Sequence, residues 1–457
     1  MSVPRLEKAI GIEVYATSSL GVGGLIRQHI EDFIVKEVLV DGSKAELNKY
    51  SSQVLGSSPI KNRYLICVLV KRDWDTFLAL QAIAKQLDLS PRYIQIAGIK
   101  DAKALTAQYI TVEDRSFEEI QKVQVKDIYV HPIGYFHSRF SSYYLLGNHF
   151  DITMRAIDHS RSMIKNRMIR TIEEFKEIGG VPNFFGHQRF GTIRPITHLV
   201  GKAIVQDDFR KAAWLYLAKP SLHEHPESRI AREQLQRTQD FKQALKVFPK
   251  QLRYERWMLK HLANKPEDFV GAFRRLPIKL RKLFPQAYQA YLFNKFLSKR
   301  LEKGFPLNRA EVGDYVVNVE RSGLPMIKMR RKADTGTITE IDRAIQAGKM
   351  RLAMPLVGFK HYFSKGVQDE IEKQILEEEG ITAANFKIEA MPETSLRGGL
   401  RTVLVPMNDF LLKSIAANQV NRSKYEVEVS FTLYRGSYAT IVLRELMKPT
   451  SIVQAGF

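Results

Sequence analysis

A single cysteine, Cys67, stands among 457 residues, so neither an intramolecular disulfide nor a multi-cysteine zinc site can form. Its setting, LICVLV, predicts a buried strand thiol. Acid is scarce as well: 49 Asp plus Glu face 70 Lys plus Arg, a formal charge of +21. That surplus favours a polyanionic partner, because cations near phosphates release counterions, but it does not distinguish RNA from DNA. A membrane surface or an acidic protein fits less well. No uninterrupted apolar stretch approaches the roughly 18 residues of a spanning helix, and Glu7 and Lys8 break any secretory leader. No membrane partner and no obligate protein partner are expected, and the cytoplasm is the expected compartment. There is no full phosphate loop, GVGG at 21–24 lacks dinucleotide-binding context, and HEH at 223–225 lacks the spacing of a helical zinc motif. No cofactor and no metal are therefore expected. What remains, 44% hydrophobic and 26% charged, is ordinary globular composition, long enough for two or three domains.

The first segment reads as an α/β unit. DFIVKEVL at 32–39 and YLICVLV at 64–70 are strand-like, and a helix is predicted from Trp74 to Leu87, capped by Asp73 or Asp75. Its buried face is predicted to carry Phe77, Leu80, Ile83, Ala84 and Leu87. IQIAGIKDAKALTAQYITV at 94–112 predicts two strands joined by a turn, and YLLGNHFDITMR from 144 a strand, a turn and a strand, with Gly147 allowing backbone to approach a ligand. A helix over 160–175 places Met163, Ile164, Ile172 and Phe175 inward and stops at Gly179 and Gly180. Helices are predicted at 207–218, 286–303 and 366–379. Strands follow at 400–406 and 427–434, with Val427, Val429, Phe431 and Leu433 on one buried face, then a turn at Gly436 and a helix at 441–447.

AGIKDAKALTAQ at 97–108 concentrates the most chemistry. Asp101 can act as nucleophile or acid/base, Lys100 and Lys103 can adjust its field, and Thr106 and Gln108 can bond the turn or a ligand. A turn carboxylate satisfying backbone donors is the simpler reading from composition alone. NFFGHQRFGTIRP at 183–195, with Gln188 and Arg189 among aromatics, suits a phosphate or nucleobase, or an internal domain anchor. RRLPIKLRKLF at 274–284 is either a phosphate-facing lip or a solvated charged face.

Taken together, these segments resemble the TruD family of tRNA pseudouridine synthases, in the form of its archaeal members. EDFIVKE at 31–37, AGIKDAKALTAQ, LLGNHF at 145–150, PNFFGHQRFG at 182–191, AYLFNKFLSKR at 290–300, LRGGLRTVLV at 396–405 and SFTLYRGSYATIVLREL at 430–446 match its blocks in order. The resemblance implies an α/β fold: a pseudouridine synthase mixed-sheet catalytic domain (1–179 and 395–457) interrupted by an inserted α/β TRUD domain (180–394). It implies isomerisation of a uridine within tRNA, uridine 13 first, or within other structured RNA, with no cofactor. Asp101 matches the catalytic aspartate and Arg27 the basic active-site position, where some members carry lysine. Phe33, Asn148 and Tyr438 match positions that hold the target nucleotide, with Phe150 and Phe431 as further aromatic candidates. Gln188 and Arg189 are the substrate contacts expected from the 182–191 block. Bacterial members commonly carry phenylalanine where Tyr438 stands. An RNA-processing hydrolase and a non-catalytic structured-RNA-binding protein are the alternatives that fit the charge.

Overall fold

The computed structural model describes residues 2–48, 54–361, 363, 365–407, 409–418 and 423–457. The first half supplies six strands, β1 (Phe33–Leu39), β2 (Tyr64–Arg72), β3 (Ile94–Ile96), β4 (Leu105–Glu113), β5 (Ile128–Phe136) and β6 (Leu145–Ile157). The middle supplies β7 (Val181–Pro182), β8 (Tyr315–Val319), β9 (Pro325–Lys332) and β10 (Met350–Leu356). β11 (Gly399–Thr402), β12 (Leu404–Val405), β13 (Leu411–Ala417) and β14 (Tyr425–Tyr434) follow. The larger sheet has eight strands in the order β13-β14-β6-β1-β4-β2-β5, with β3 also on β4. A smaller sheet runs β11-β10-β8-β9, and β12 pairs with β7. Among the described residues the pairings are antiparallel except β1 with β4. The sheet is therefore mixed and the fold α/β, as expected.

β2 shows why a continuous apolar run makes a central strand. Leu65, Cys67 and Leu69 pack on the helix Thr76–Gln86, while Ile66, Val68 and Val70 enter a second cluster on the opposite face. Burial on both sides removes the need for polar alternation. Cys67 is fully buried, and burial pushes its thiol pKa up. In β14 the alternation is kept, and Val427, Val429, Phe431 and Leu433 are all buried.

Asp75 caps Thr76–Gln86, accepting from the amides of Phe77 and Leu78 at 2.8 and 3.1 Å. Leu80, Ile83, Ala84 and Leu87 face inward, but Phe77, in the first turn, is 45% exposed and turns its ring toward Lys279. The helix Arg161–Ile178 is capped by Ser160 and ends at Gly179 with φ +86°. Ile164 and Phe175 are buried and Ile172 half-buried, whereas Met163 is exposed, on the outer side of the first turn.

Two expectations are corrected. Residues 145–157 form one strand with no turn, paired with β1 on one side and β14 on the other. Gly147 does allow a close approach, but to the Leu433 carbonyl: a Cβ there would lie 2.0 Å from that oxygen. Residues 400–406 are two short strands, since β11 joins the smaller sheet and β12 turns back to β7.

Between β7 and β11 the chain is mainly helical, and its longest helix, Ile278–Glu302, begins within the basic run and continues through Pro285. One apolar core joins the sheets: Phe33, Phe150 and Phe431 belong to the same buried cluster as Phe184, Phe284, Phe293, Leu352 and Met354. Among the described residues no helix is long and apolar enough to cross a membrane.

Candidate active site

β4 is flanked on one edge first by β1, at Leu105 to Ala107, and then by β3, at Ile110 to Val112. The turn at 97–104 emerges where those two neighbours part, and it carries Asp101. Adjacent residues of the turn point opposite ways. The Asp101 side chain is 39% exposed, while that of Lys100 is 4% exposed.

Three groups hold the turn. Lys71, fully buried at the end of β2, donates from Nζ to the carbonyl oxygens of Asp101 and Trp74, both at 2.7 Å. Thr76 Oγ1 donates to the Lys100 carbonyl at 3.2 Å and accepts from the Lys100 amide at 3.1 Å. The Lys100 ammonium meets Glu37 Oε1 at 2.6 Å and donates to Asn148 Oδ1 at 2.8 Å. Glu37 and Asn148 sit opposite one another in the β1–β6 register, and Glu37 also accepts the Tyr109 amide at 2.8 Å. Lys100 is thus committed to the sheet, not to the Asp101 carboxylate. Burial pulls the Lys71 pKa down to about 8 against the attraction of Asp101. Gln108 donates to the Gly98 carbonyl at 3.3 Å, which leaves it a turn support. Thr106 Oγ1 is buried with no hydrogen-bond partner among the described residues.

The cation facing Asp101 is Arg27, whose Nη2 lies 3.7 Å from Oδ2. Arg27 has a left-handed backbone at φ +56°, a conformation uncommon for a residue with a side chain. Its guanidinium lies 4.1 Å above the Phe33 ring and donates from Nη1 to the Gly456 carbonyl at 3.2 Å. Burial lowers its pKa and Asp101 opposes that shift; the side chain is placed by stacking and by backbone as much as by charge.

Phe33 is buried beneath Arg27, edge-on to Phe150 with centroids 6.2 Å apart, and Phe150 lies 5.5 Å from Phe431. Phe150 and Phe431 are 5% and 0% exposed. They form the wall behind the site and present almost no surface to a ligand, because the cross-strand register pairs them directly on the core face.

The remaining expected residues gather in a second group, where the 183–190 segment meets the start of the last helix, Ala439–Met447. Tyr438 precedes that helix and lies 6.2 Å from Phe185, ring to ring. Gln188 accepts from Thr440 at 3.2 Å, and Arg189 donates to Gln286 at 3.3 Å. A Cβ on Gly186 would meet Thr440, Gln188 and Tyr438 within 2.9 Å. Arg401 knits this group together: it lies 4.0 Å over the Phe185 ring and donates to the Asn183 and Gly436 carbonyls, each at 2.9 Å. Its burial lowers its pKa to about 10. The two groups are linked through the sheet, since Leu433 pairs with Asn148 and Gly436 follows shortly after.

The structure therefore joins Asp101, Arg27 and Phe33 directly, ties in Asn148 through Lys100, and assembles Gln188, Arg189 and Tyr438 around Phe185. Sequence reasoning missed Lys71, Glu37 and Arg401. Glu37 carried a signal, since a carboxylate inside a central strand demands a cation. Phe77 also faces the helical segment, with Lys279 5.9 Å from its ring. Among the described residues no group of three or more His, Cys, Asp or Glu side chains could hold a metal. The arrangement offers an accessible carboxylate beside a cation, with the Asn148 amide tied to the neighbouring Lys100, the elements of general acid/base or nucleophilic work.

The profile of tRNA pseudouridine synthase D (TruD) matches residues 9–446. A Methanosarcina barkeri protein named Probable tRNA pseudouridine synthase D is 41% identical over 448 residues, covering 98% of both chains. A protein of the same name from Methanococcoides burtonii is 38% identical over 447 residues, again covering 98% of each. The crystal structure of the Methanosarcina mazei TruD protein superimposes with a TM-score of 0.83 at 41% identity, over 98% of this chain and 99% of that one. The chain belongs to the TruD family of tRNA pseudouridine synthases.

Proposed function

We propose that the protein converts one uridine of tRNA, uridine 13 first among candidates, to pseudouridine, with Asp101 as the essential carboxylate. The observation that carries this reading is the half-exposed Asp101 beside Arg27, on a turn clamped from beneath by Lys71 and Lys100. The target nucleotide leaves its stack, because its glycosidic bond is out of reach inside the folded RNA. The C1′–N1 bond breaks with Asp101 acting at the sugar or as a base. The uracil turns, C1′–C5 forms, the C5 proton leaves and N1 takes one up. Atoms and electrons balance without a cofactor.

Arg27, laid on Phe33, faces the carboxylate and offers its outer face to the base, and Asn148 orients the base by its amide. Tyr438 stacks on the extruded nucleotide from the other side, retaining the ring its family position calls for and adding a hydroxyl. Gln188 and Arg189 contact the flanking RNA. Residues 180–394 recognise tRNA shape and clamp phosphate, while 1–179 and 395–457 carry the chemistry, in the cytoplasm. The test is nucleotide-resolution mapping of pseudouridine in unmodified tRNA treated with wild-type protein or Asp101→Asn. The variant is expected to lose conversion while keeping fold and RNA affinity. Conversion at the native rate would overturn the assignment of Asp101, and shortened RNA in place of an isomerised uridine would favour a hydrolase.

A further inference from the structure

The smaller sheet bears a feature that the catalytic reading leaves unused. A cavity of about 330 Å³ opens on it, lined by Tyr315, Arg330, Lys360, His361 and Arg397, with Gly398 and Gly399 at its rim. Among the described residues no carboxylate lines it. Among the described residues Arg330, Lys360 and Arg397 form no ion pair, although acidic side chains elsewhere capture many of the surface cations. His361 lies at the floor, 3.5 Å from Glu372, both side chains being 2% exposed.

The strand register shows that this charge is sorted by face. Arg330 pairs with Val317 and Lys332 with Tyr315, so their side chains share the face of the sheet that Tyr315 occupies. Arg331, between them, points the opposite way and meets Glu340 at 3.2 Å. One face has its cation neutralised and the other leaves two open. Cations on an edge strand also deter sheet-to-sheet association, and β9 is an edge. That accounts for β9 alone. Lys360 and Arg397 come from the segments that follow β10 and precede β11, at the other side of the sheet, and converge with Arg330 on one cavity. Gly399, where an added Cβ would meet nothing within 4 Å, leaves the backbone there open to a ligand.

We infer that this cavity is a seat for a backbone phosphate of the RNA substrate, with Arg330, Lys360 and Arg397 as its cations and Lys332 extending the grip along the strand. A concave group of unpaired guanidinium and ammonium groups gives phosphate short charge-assisted hydrogen bonds, and an arginine can bind it bidentately. The site rests on the proposed RNA substrate and adds an anchoring point on the smaller sheet, apart from Asp101. It fixes register on the RNA and reads no base.

The test is tRNA affinity across a series of monovalent salt concentrations for the wild type, the double variant Lys360→Ala/Arg397→Ala, and a control pair Lys122→Ala/Lys303→Ala that removes the same charge from exposed sites elsewhere. The double variant is expected to flatten the dependence of log affinity on log salt by roughly one for each phosphate it no longer neutralises and to weaken binding roughly tenfold at low salt, with the control pair following the wild type. Equal slopes in wild type and double variant, or the same flattening in the control pair, would overturn the inference while leaving uridine isomerisation standing. Failure of the wild type to bind tRNA would overturn both. Inorganic phosphate at matched ionic strength separates the sources: phosphate that binds the wild type but not the double variant, and leaves tRNA affinity unchanged at saturation, would assign the cavity to a free anion instead.

Discussion

Lys71 is the residue on which the geometry of Asp101 most depends. It touches no substrate; it is a positioning residue, holding the Asp101 carbonyl at 2.7 Å from a fully buried site. Lys71→Met keeps the length of the side chain and removes both donor and charge. A buried carbonyl left without its partner costs about 1–3 kcal/mol, enough for the turn to shift, and small misplacement of a reacting group lowers turnover by about 100-fold. The expected result is a fall in kcat of that order with tRNA Kd unchanged, read by single-turnover conversion beside a binding titration; a variant with native kcat would show that the turn holds without Lys71. At this scale the sequence was partly legible. The Asp101 turn announced itself by small residues around a carboxylate, and Arg27, Phe33, Asn148 and Tyr438 came by resemblance. Lys71 was hidden because it closes a run of buried strand residues, where a lysine reads as the point at which the strand reaches water.

At the level of elements, β6 is the spine of the larger sheet, paired to β1 and β14 along most of its 13 residues. Gly147 is its tight point. In Gly147→Ala the new methyl would sit 2.0 Å from the Leu433 carbonyl oxygen, and its nearest neighbours are all backbone atoms of Leu433 and Tyr434, which leaves no flexible group to yield. Overpacking of this kind costs roughly 1–3 kcal/mol or more, so the variant is expected to lose at least that much stability in urea unfolding; an unchanged midpoint would mean that β6 and β14 separate there freely. The alternation in β14 and the continuous run in β2 were both readable, because burial on one face or on two leaves a different pattern. The Gly147 region was misread as a turn. Gly-Asn is a turn signal when backbone must reverse, and the same glycine serves when a neighbouring strand crowds the chain.

Across the whole molecule, Glu7, His187, Arg444 and Glu445 form a sealed charge group that joins the N-terminal segment, the 183–190 segment and the last helix. Arg444 donates to both Glu7 carboxylate oxygens, at 2.9 and 3.0 Å, and His187 lies 3.3 Å from Glu7, all with fully buried side chains. Burial pushes the Glu7 pKa up, but Arg444 and His187 outweigh it and bring it from 4.5 to about 2. Because the folded value lies below the unfolded one, the stability this carboxylate contributes is present above about pH 4.5 and lost as pH falls toward 2. The stability difference between wild type and Glu7→Gln is therefore expected to be constant near neutrality and to shrink by on the order of 3 kcal/mol across that window; a difference that stays flat down to pH 2 would sink the assignment. No local pattern reveals such a group, since Glu7 and Arg444 are far apart in sequence and neither spacing nor periodicity relates them. The same separation governs how the larger sheet closes. During synthesis the β6 edge emerges long before β14, its partner, and at about 5–20 residues per second the intervening chain takes on the order of tens of seconds to appear. Throughout that interval the nascent protein carries an open β edge beside an unfinished hydrophobic wall, so the helical middle of the chain emerges next to a half-built sheet.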